Sequence, residues 1–329
     1  MTATDASAPT AAPPAPEQPK IKAKVRIADR VFSGAAAIAG GLILAALAAV
    51  AIFLVAQSIP ALTADPQDVA QIVKRGADNF WVYVGPLVFG TIWAALLALL
   101  FALPLSIGIA LFISHYAPRR IAQGLGYIID LLAAVPSVVF GLWGIKVLAP
   151  AVTPLYSWLN EHLGWIPLFS GQASSTGRTI LTVAIVLAVM IIPIITALCR
   201  EVFLQTPRLH EEAALALGAT RFEMITMAVL PFGRPGIISA SMLGLGRALG
   251  ETMVVAMVLS PAYVVSLVLT SSENPSTIAG NIALQFPEAS GLSVNALIAT
   301  GLVLFVITLA VNSVARWIIS RRAAFSGAN

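Results

Sequence analysis

The sequence predicts an all-α membrane protein with six transmembrane helices. Of its 329 residues, 58% are hydrophobic and only 10% are charged, whereas about a quarter of the residues in an ordinary globular domain are charged. The mean hydropathy is +0.91. Several apolar segments are longer than the roughly 20 residues that cross a bilayer as a helix. This composition excludes a soluble globular protein.

Six apolar segments account for this composition, and each predicts one membrane-spanning helix. In chain order they are residues 34–59, 84–114, 125–149, 179–199, 235–262 and 294–319. Together they predict a six-helix transmembrane domain over residues 20–322. The first segment is too long for the apolar core of a cleaved signal peptide, which has roughly 7–15 residues. Residues 1–19, rich in Ala, Pro and Thr, predict a disordered cytoplasmic tail, and residues 323–329 predict a short C-terminal tail.

The basic residues predict the orientation of these helices. With the N-terminus in the cytoplasm, fourteen of the 19 Lys and Arg residues lie on the cytoplasmic side, in agreement with the positive-inside rule. They are Lys20, Lys22, Lys24, Arg26, Arg30, Arg119, Arg120, Arg200, Arg208, Arg221, Arg234, Arg316, Arg321 and Arg322. The loops of the opposite side contain only Lys74, Arg75 and Arg178. We therefore expect both termini, and the loop at residues 200–234, in the cytoplasm.

The rest of the composition limits the chemistry. The net charge of +4 comes from loops and tails, not from a basic stripe of the kind that binds nucleic acid. The single cysteine, Cys199, excludes an internal disulfide and offers no metal-ligand spacing. The three histidines, His115, His162 and His210, lie in loops or at helix ends without ligand partners nearby in the sequence. We predict neither a metal site nor a cofactor.

The polar loop between the fourth and fifth spans has the pattern of two short helices joined by a bend. Glu211 and Glu212 lie near the N-terminal, positive end of the first helix, where carboxylates are favourable. Gly218 suits the left-handed residue that follows a helix. Thr220 and Glu223 have the spacing of a capping box, which begins a second helix. The loop is therefore expected to project from the membrane as helix, bend and helix.

Within this loop, Glu212-Ala213-Ala214-Leu215-Ala216-Leu217-Gly218, followed downstream by Leu230-Pro231, resembles the EAA loop of ABC importer permeases. The resemblance implies that Glu212, Ala213, Ala214 and Gly218 belong to a coupling helix that docks on a separate ATP-binding subunit. Small side chains suit a helix that sits in a groove of another protein. This sequence contains no Walker A pattern, so another subunit would hydrolyse ATP. Spacing alone fits equally well a surface helix that merely joins two spans.

Two ionisable residues, Arg247 and Glu251, interrupt the fifth apolar segment. A charge at the centre of a membrane helix costs roughly 2.5–3.5 kcal/mol on insertion scales. Since they are four residues apart, we expect them to share one helical face and to reach each other. They either form a self-neutralising structural pair or line a translocation path. On a path, the planar fork of arginine would suit an oxyanion. The carboxylate would accept a hydrogen bond from a protonated oxyanion such as phosphate, which sulfate cannot donate.

Three glycines accompany this pair: Gly244, Gly246 and Gly250. We expect them to let the helix approach a neighbour closely, with Gly246 and Gly250 at the small-xxx-small spacing of membrane helix contacts. Their pattern is GxGxxxG, not the GxGxxG of dinucleotide-binding folds, and no strand precedes it. A nucleotide site is therefore not predicted here.

The segment from Leu243 to Met253 resembles the signature of phosphate-specific ABC importer permeases of the PstC type. Residues 131–144, Leu-Leu-Ala-Ala-Val-Pro-Ser-Val-Val-Phe-Gly-Leu-Trp-Gly, are similar to the same family, and the resemblance covers about residues 30–320. It implies the type I, MetI-like permease fold of a multi-pass protein in the bacterial inner membrane. It also implies phosphate as the translocated substrate and no enzymatic activity in this chain.

The same resemblance implies a set of partners. These are a homologous second permease in a heterodimer, two ATP-binding subunits, an extracytoplasmic phosphate-binding protein, phosphate and membrane lipid. Two alternatives stay open: a permease of the same fold for another oxyanion or small solute, and an intramembrane enzyme that uses Glu251 as an acid or base. The enzyme hypothesis lacks a nucleophile–base pair or a metal cluster in the sequence, and it does not explain the EAA-like loop.

Overall fold

The computed structural model describes residues 27–65, 67–68 and 79–323. The predicted N-terminal tail, residues 1–19, lies outside these ranges, and so does the predicted C-terminal tail beyond Ala323. The basic residues from Lys20 to Arg26, which contribute to the predicted orientation, also lie outside them. The orientation of the termini therefore stays a prediction.

The chain divides into two compact units, residues 1–50 and residues 51–329. In the first unit the structure describes the N-terminal part of one long apolar helix, α1 (Ile27–Thr63). The last turns of α1 and all the elements that follow belong to the second unit. The candidate site lies entirely within that second unit.

The described part of the second unit is mostly helical. Its α-helices are α2 (Phe80–Leu111), α3 (Arg119–Ala133), α4 (Ser137–Trp143), α5 (Ala149–Leu163), α6 (Ile180–Leu204), α7 (Arg208–Ala216), α8 (Arg221–Met224), α9 (Leu230–Leu249), α10 (Met253–Val258), α11 (Ile278–Gln285) and α12 (Leu292–Ala323). Short π-helical segments lie at Phe112–Tyr116, Gly144–Leu148 and Ile225–Val229, and 3-10 turns at Pro167–Phe169 and Phe286–Glu288. Two short strands, β1 (Pro261–Ala262) and β2 (Asn274–Pro275), pair in parallel.

Six helical stretches in the described residues are long and apolar enough to cross a membrane. They are Arg30–Thr63, Phe80–Tyr116, Ser137–Leu163, Ile180–Leu204, Arg221–Leu249 and Leu292–Arg321. The prediction of an all-α membrane protein with six spans is therefore confirmed. The bounds differ from the predicted ones chiefly at the third and fifth spans.

The third span lies further along the chain than the sequence indicates. The predicted segment, residues 125–149, joins the second half of α3 to α4 and the π-helical segment that follows it. Pro136 separates the two helices because it has no N–H to donate and disfavours a helical conformation at Val135. The stretch that is long enough to cross is Ser137–Leu163. Hydropathy is continuous across Pro136, so it predicts one segment where the structure has two helices.

The centre of the second unit is α6, which is the most deeply buried of the six candidate spans. It packs against α2, α9 and α3. Its inward residues are large apolar side chains that are fully buried, among them Ile180, Leu187, Ile191 and Ile195. Because lipid is as apolar as these side chains, close packing and buried polar contacts hold such helices together more than the hydrophobic effect does.

One buried amide ties the paired strands to the start of α6. Asn274 is fully buried, and its Oδ1 accepts a hydrogen bond from the backbone N–H of Ile180 at 2.8 Å. Its Nδ2 donates to the backbone oxygens of Arg178 at 3.1 Å and Ser260 at 3.3 Å. All these groups need partners where water is absent. Asn274 thereby fixes the backbone of Arg178, whose side chain contributes to the site.

Candidate functional site

The fifth predicted span, residues 235–262, is not one continuous helix. Residues 250–252 form a break between α9 and α10. Gly250 ends α9, as expected for the residue type with the lowest helix propensity after proline. Arg247 lies in the last turn of α9, whereas Glu251 lies in the break. The expectation that the two side chains share one face of a helix is therefore wrong, because that helix ends before Glu251.

Glu251 caps the short helix that follows the break. Its side chain is buried, with 8% of its surface exposed, and its Oε1 accepts a hydrogen bond from the backbone N–H of Val254 at 3.1 Å. A carboxylate at the start of a helix satisfies an unpaired N–H and favours the positive end of the helix dipole. Among the described residues, the other carboxylate oxygen accepts no hydrogen bond.

An arginine from a distant loop holds the other end of α10. Arg178 Nη2 donates to the backbone oxygens of Leu259 at 2.9 Å and Met257 at 3.4 Å, and its Nε donates to that of Val258 at 3.4 Å. The last carbonyl groups of a helix have no partner within the helix, and a cation is favourable at that end. Charges of the appropriate sign thus hold α10 at both ends. The sequence alone does not predict this role for Arg178.

Arg247 lines a groove between α9 and α12. Among the described residues, the ion pair found within 4.0 Å is His115–Glu211, not Arg247–Glu251. Arg247 is exposed on the surface of the chain. The groove has a volume of about 390 Å³ and is lined by Ser239, Met242, Leu243, Gly246, Arg247, Asn312, Ala315, Arg316 and Ile319. The two ionisable residues therefore do not neutralise each other in this structure.

The three glycines of α9 have different surroundings. A Cβ at Gly244 would lie 2.6 Å from Ile195 Cδ1, so this glycine lets α9 approach α6. Nothing lies within 4 Å of a Cβ at Gly246, and the atom nearest to one at Gly250 is the backbone oxygen of Gly246 at 3.7 Å. Close packing within this chain therefore requires a glycine at position 244, but it does not require one at Gly246 or Gly250.

The predicted bend after α7 has the geometry of a Schellman motif. Gly218 adopts a left-handed conformation with φ of +87°. Its N–H donates to the Leu215 oxygen at 3.0 Å, and the N–H of Ala219 donates to the Ala214 oxygen at 3.2 Å. These two bonds satisfy the last carbonyl groups of α7. A glycine accepts this conformation without the steric cost that a Cβ would add.

The capping box of the second helix is also confirmed. Thr220 Oγ1 accepts a hydrogen bond from the Glu223 N–H at 3.3 Å, and Glu223 Oε2 accepts one from the Thr220 N–H at 2.7 Å. From α8 the chain continues through a π-helical segment into α9. The polar loop and the helix that contains Arg247 are thus one connected element.

Most of the predicted docking residues are open to a partner. Glu212, Ala213 and Gly218 are exposed, and Leu217 beside them has 89% of its surface exposed. Ala214 differs, because it is half-buried and packs against the main apolar core. The structure therefore divides α7 into a face that packs on the bundle and a face that is uncovered.

A histidine joins α7 to the end of α2. His115 lies in the π-helical segment after α2, and its Nε2 is 3.4 Å from Glu211 Oε1. Its Nδ1 is 2.7 Å from Ser114 Oγ. The histidine side chain is 8% exposed and the glutamate side chain 24%. The sequence alone predicts no role for His115, because the contact joins residues that are 96 positions apart.

Comparison with known proteins establishes the class of this molecule. The family model for the binding-protein-dependent transport system inner membrane component matches residues 102–323. The chain belongs to this family. The matched region includes the uncovered face of α7, the break at residues 250–252 and both Arg247 and Glu251. The permease is therefore a multi-pass inner-membrane transport component, not an enzyme.

Curated relatives extend the similarity over almost the whole permease. The phosphate transport system permease protein PstC 2 of Mycobacterium tuberculosis is 45% identical over 305 residues, covering 88% of this chain and 91% of that protein. The phosphate transport system permease protein PstC of Xylella fastidiosa is 43% identical over 237 residues, covering 71% of this chain and 72% of that protein.

Solved structures agree on the fold. The MetNI methionine ABC transporter in an inward-facing conformation has a chain that matches with a TM-score of 0.51 at 12% identity, covering 73% of this permease and 96% of that chain. A bacterial ABC transporter involved in the import of the acidic polysaccharide alginate matches with a TM-score of 0.50 at 21% identity, covering 72% and 78%. These likenesses confirm the MetI-like permease fold. Membership of the family implies partnership with ATP-binding subunits and a substrate-binding protein.

Proposed function

We propose that this permease translocates inorganic phosphate into the cytoplasm as part of an ATP-driven ABC importer. The observation that supports this most directly is Arg247, an exposed arginine in an apolar span, in a groove to which no acidic side chain contributes among the described lining residues. Because a charge in a membrane helix is costly, its presence there indicates a function. The similarity to the mycobacterial and Xylella proteins, which are named as phosphate permeases, adds the identity of the oxyanion.

Arg247 is suited to phosphate by charge and by shape. A guanidinium group stays protonated under all physiological conditions and presents a planar fork of N–H donors to the oxygens of an oxyanion. Its place in the last turn of α9 is also favourable, since a cation is stabilised at the C-terminal end of a helix dipole. We expect Arg247 to contact the anion directly.

Glu251 is the second residue that we place on the substrate path. One of its carboxylate oxygens is engaged with Val254, and the other accepts no hydrogen bond from the described residues. That second oxygen would accept a hydrogen bond from the proton that phosphate retains near neutral pH, and it would repel fully deprotonated sulfate. In this arrangement Glu251 both positions α10 and favours phosphate over sulfate.

The proposed assembly has two permeases and two ATP-binding subunits. The uncovered face of α7, with Glu212, Ala213 and the Gly218 bend, would dock in a groove on one ATP-binding subunit. A homologous second permease would form a heterodimer with this chain and supply the other half of the path. Both termini would lie in the cytoplasm, and a phosphate-binding protein would deliver the substrate on the opposite side.

Uptake of labelled phosphate and sulfate into vesicles that contain all the subunits tests the substrate. We expect phosphate uptake, little sulfate uptake, and near-background transport by an Arg247→Ala variant that still assembles. Arg247→Lys keeps the charge but loses the fork, so it should recover only part of the transport. Efficient sulfate uptake by the unmodified importer would instead favour a permease for another oxyanion.

A double substitution separates the path from a structural pair. If Arg247 and Glu251 serve only to neutralise each other, Arg247→Gln combined with Glu251→Gln should restore most of the transport. We expect normal assembly without transport, and we expect Glu251→Gln alone to weaken the rejection of sulfate. Full transport by the double variant, with unchanged selectivity in Glu251→Gln, would exclude the proposed path.

Co-purification of the ATP-binding subunit tests the docking face. Glu212→Lys reverses a charge on the exposed face of α7 and should lower both the recovery of that subunit and the transport. Glu201→Lys is the matched control, because it places the same change on an exposed residue of α6 outside α7. Equal losses in the two variants would contradict docking at α7.

A further inference from the structure

The groove between α9 and α12 contains a second arginine, which the proposed path does not use. Arg316, on α12, lines the same groove as Arg247, on α9, and Asn312 lies one helical turn before Arg316. All three side chains are exposed in the chain. Since two helices contribute one guanidinium each, the groove has positive charge on both of its walls.

Neither arginine of the groove has a protein partner among the described residues, in contrast to Arg178 and Arg321. Arg178 donates to three backbone oxygens, and the guanidinium of Arg321 lies 4.4 Å from the centre of the Trp317 ring. Arg247 and Arg316, by contrast, form no ion pair or hydrogen bond with the described residues. Each guanidinium has five N–H donors, so the groove contains many donors that no described residue satisfies.

Electrostatics favours an anion between these two side chains. Two like charges in one groove repel each other, and an apolar wall strengthens the repulsion because it lowers the local dielectric constant. Met242, Leu243 and Ile319 form such a wall. An anion that lies between the guanidinium groups converts the repulsion into two attractions. The described lining residues include no carboxylate that could serve instead.

The donors of the groove indicate the kind of anion. Guanidinium forks match the spacing of oxygens on a tetrahedral oxyanion. The amide of Asn312 both donates and accepts, so it could pair with a deprotonated oxygen or with a protonated one. We propose that the groove between α9 and α12 binds a phosphoryl oxyanion, with Arg316 as a second arginine beside Arg247 and Asn312 as a further hydrogen-bonding group.

Two sources could supply this chemistry. One is free phosphate on its way to the cytoplasm, and this source rests on the proposed function. The other is the headgroup phosphate of an anionic phospholipid, which would reach the groove from the surrounding membrane. Both would contact the same three side chains, so an experiment must separate them by what is added to the sample.

A thiol introduced at Ser239 reports on the charge of the groove. Ser239 lines the groove, and the native Cys199 is fully buried, so the unmodified chain serves as the unlabelled control. In the assembled importer, an anionic methanethiosulfonate should modify Ser239→Cys faster than a cationic one does, since two nearby guanidinium groups attract the anionic reagent. The ratio of the two rates should be at least about tenfold larger than the same ratio measured with a small free thiol. Adding Arg316→Gln should lower this preference several-fold.

Arg321→Gln is the matched control for charge. It removes an arginine from the same helix, five residues further on, that does not line the groove. We expect the reagent preference to stay unchanged in this control. Arg316→Lys should keep the preference but bind the oxyanion more weakly, because a lysine retains the charge without the fork. A preference that falls equally in Arg316→Gln and Arg321→Gln would overturn the proposal.

Protection of the introduced thiol identifies the source. Inorganic phosphate, added at constant ionic strength to the importer in phosphatidylcholine nanodiscs, should slow the modification if free phosphate occupies the groove. Protection that requires phosphatidylglycerol in the nanodisc would identify a lipid headgroup. Either protection should be lost in Arg316→Gln. The proposal is overturned if neither phosphate nor phosphatidylglycerol protects the thiol.

Uptake measured in parallel keeps this proposal distinct from the proposed function. An importer that takes up phosphate but shows no protection of the thiol would contradict the groove site and leave the function intact. An importer that does not take up phosphate, but in which the thiol is protected, would contradict the function and leave the oxyanion site intact.

Discussion

The permease contains two helix–break–helix elements that differ in what holds them in place. One joins α7 to α8 in the polar loop, and the other joins α9 to α10 within the predicted fifth span, residues 235–262. In each, a glycine ends the first helix and a glutamate satisfies an N–H at the start of the second: Gly218 with Glu223, and Gly250 with Glu251. The polar bend is exposed, whereas the carboxylate of the membrane bend is buried.

The polar bend is stabilised by its own neighbours in sequence. Its Schellman bonds and its capping box connect residues no more than five positions apart. The membrane bend depends also on a residue from far away, because Arg178 holds the end of α10 across about 80 positions. The backbone N–H and C=O groups of a bend in water can form hydrogen bonds with solvent, but those of a bend in lipid need partners within the protein.

The largest effect should follow removal of the buried carboxylate. Glu251→Ala leaves the Val254 N–H without a partner, which costs about 1–3 kcal/mol for a buried group, and α10 loses its fixed start. We expect transport near background and a lower midpoint of thermal unfolding. Glu251→Gln keeps an acceptor oxygen and should retain most of the stability. Equal unfolding midpoints for the alanine variant and the wild type would show that Glu251 does not stabilise α10.

A smaller loss of transport is expected when Arg178, which holds the far end of α10, is removed. Arg178→Ala frees three carbonyl groups at the end of α10, and we expect a loss of about 1–3 kcal/mol together with reduced transport. Arg178→Lys keeps the charge at the helix end but reaches fewer oxygens, so its unfolding midpoint should lie between those of the wild type and Arg178→Ala. If lysine and alanine are equally destabilising, geometry matters and charge does not; if lysine equals arginine, charge alone suffices.

A substitution in the polar bend should impair attachment of the ATP-binding subunit and transport more than it lowers the stability of the permease. Gly218→Val places a β-branched residue at φ of +87°, at a strain of about 1–3 kcal/mol. No atom lies within 4 Å of the added Cβ, so the strain is that of the backbone alone. We expect insertion in the membrane, with a sharp fall in transport and in recovery of the ATP-binding subunit.

Gly171 provides a matched control for this strain. It has φ of +81°, no atom within 4 Å of an added Cβ, and a place in the loop between α5 and α6. Gly171→Val should cost similar stability but leave the ATP-binding subunit attached. If both valine variants lose that subunit, the effect reflects general destabilisation and not the docking face.

The smallest effect is expected from the capping box. Thr220→Ala removes the hydroxyl that caps α8, for a loss of about 1 kcal/mol of stability. The loss is small because the exposed N–H groups can form hydrogen bonds with water instead. Thr226→Ala is the control: its hydroxyl is also exposed but donates to the Glu223 oxygen at 3.0 Å and caps nothing. Transport should fall slightly in the first variant and stay unchanged in the second. A large loss in Thr220→Ala would mean that this bend is not set locally.

The same contrast explains which features the sequence could predict. Gly218, Thr220 and Glu223 are read correctly because their partners are within a few residues, and short-range spacing fixes their geometry. The third span is misplaced because Pro136 divides an apolar run whose hydropathy is continuous. The pairing of Arg247 with Glu251 is wrong because the spacing rule assumes an unbroken helix, and Gly250 breaks it.

The sequence by itself determined the membrane class, the six spans, the helix–bend–helix loop and its caps, because these depend on composition and on contacts between near neighbours. Only the tertiary structure decided that Glu251 caps α10, that Arg178 clamps its far end, and that Arg247 shares a groove with Arg316. The last two of these features join residues that are far apart in the chain, and the first depends on α9 ending before Glu251. Their physical reason is the absence of water between packed helices, where each buried polar group must find its partner on whichever helix or loop lies nearest.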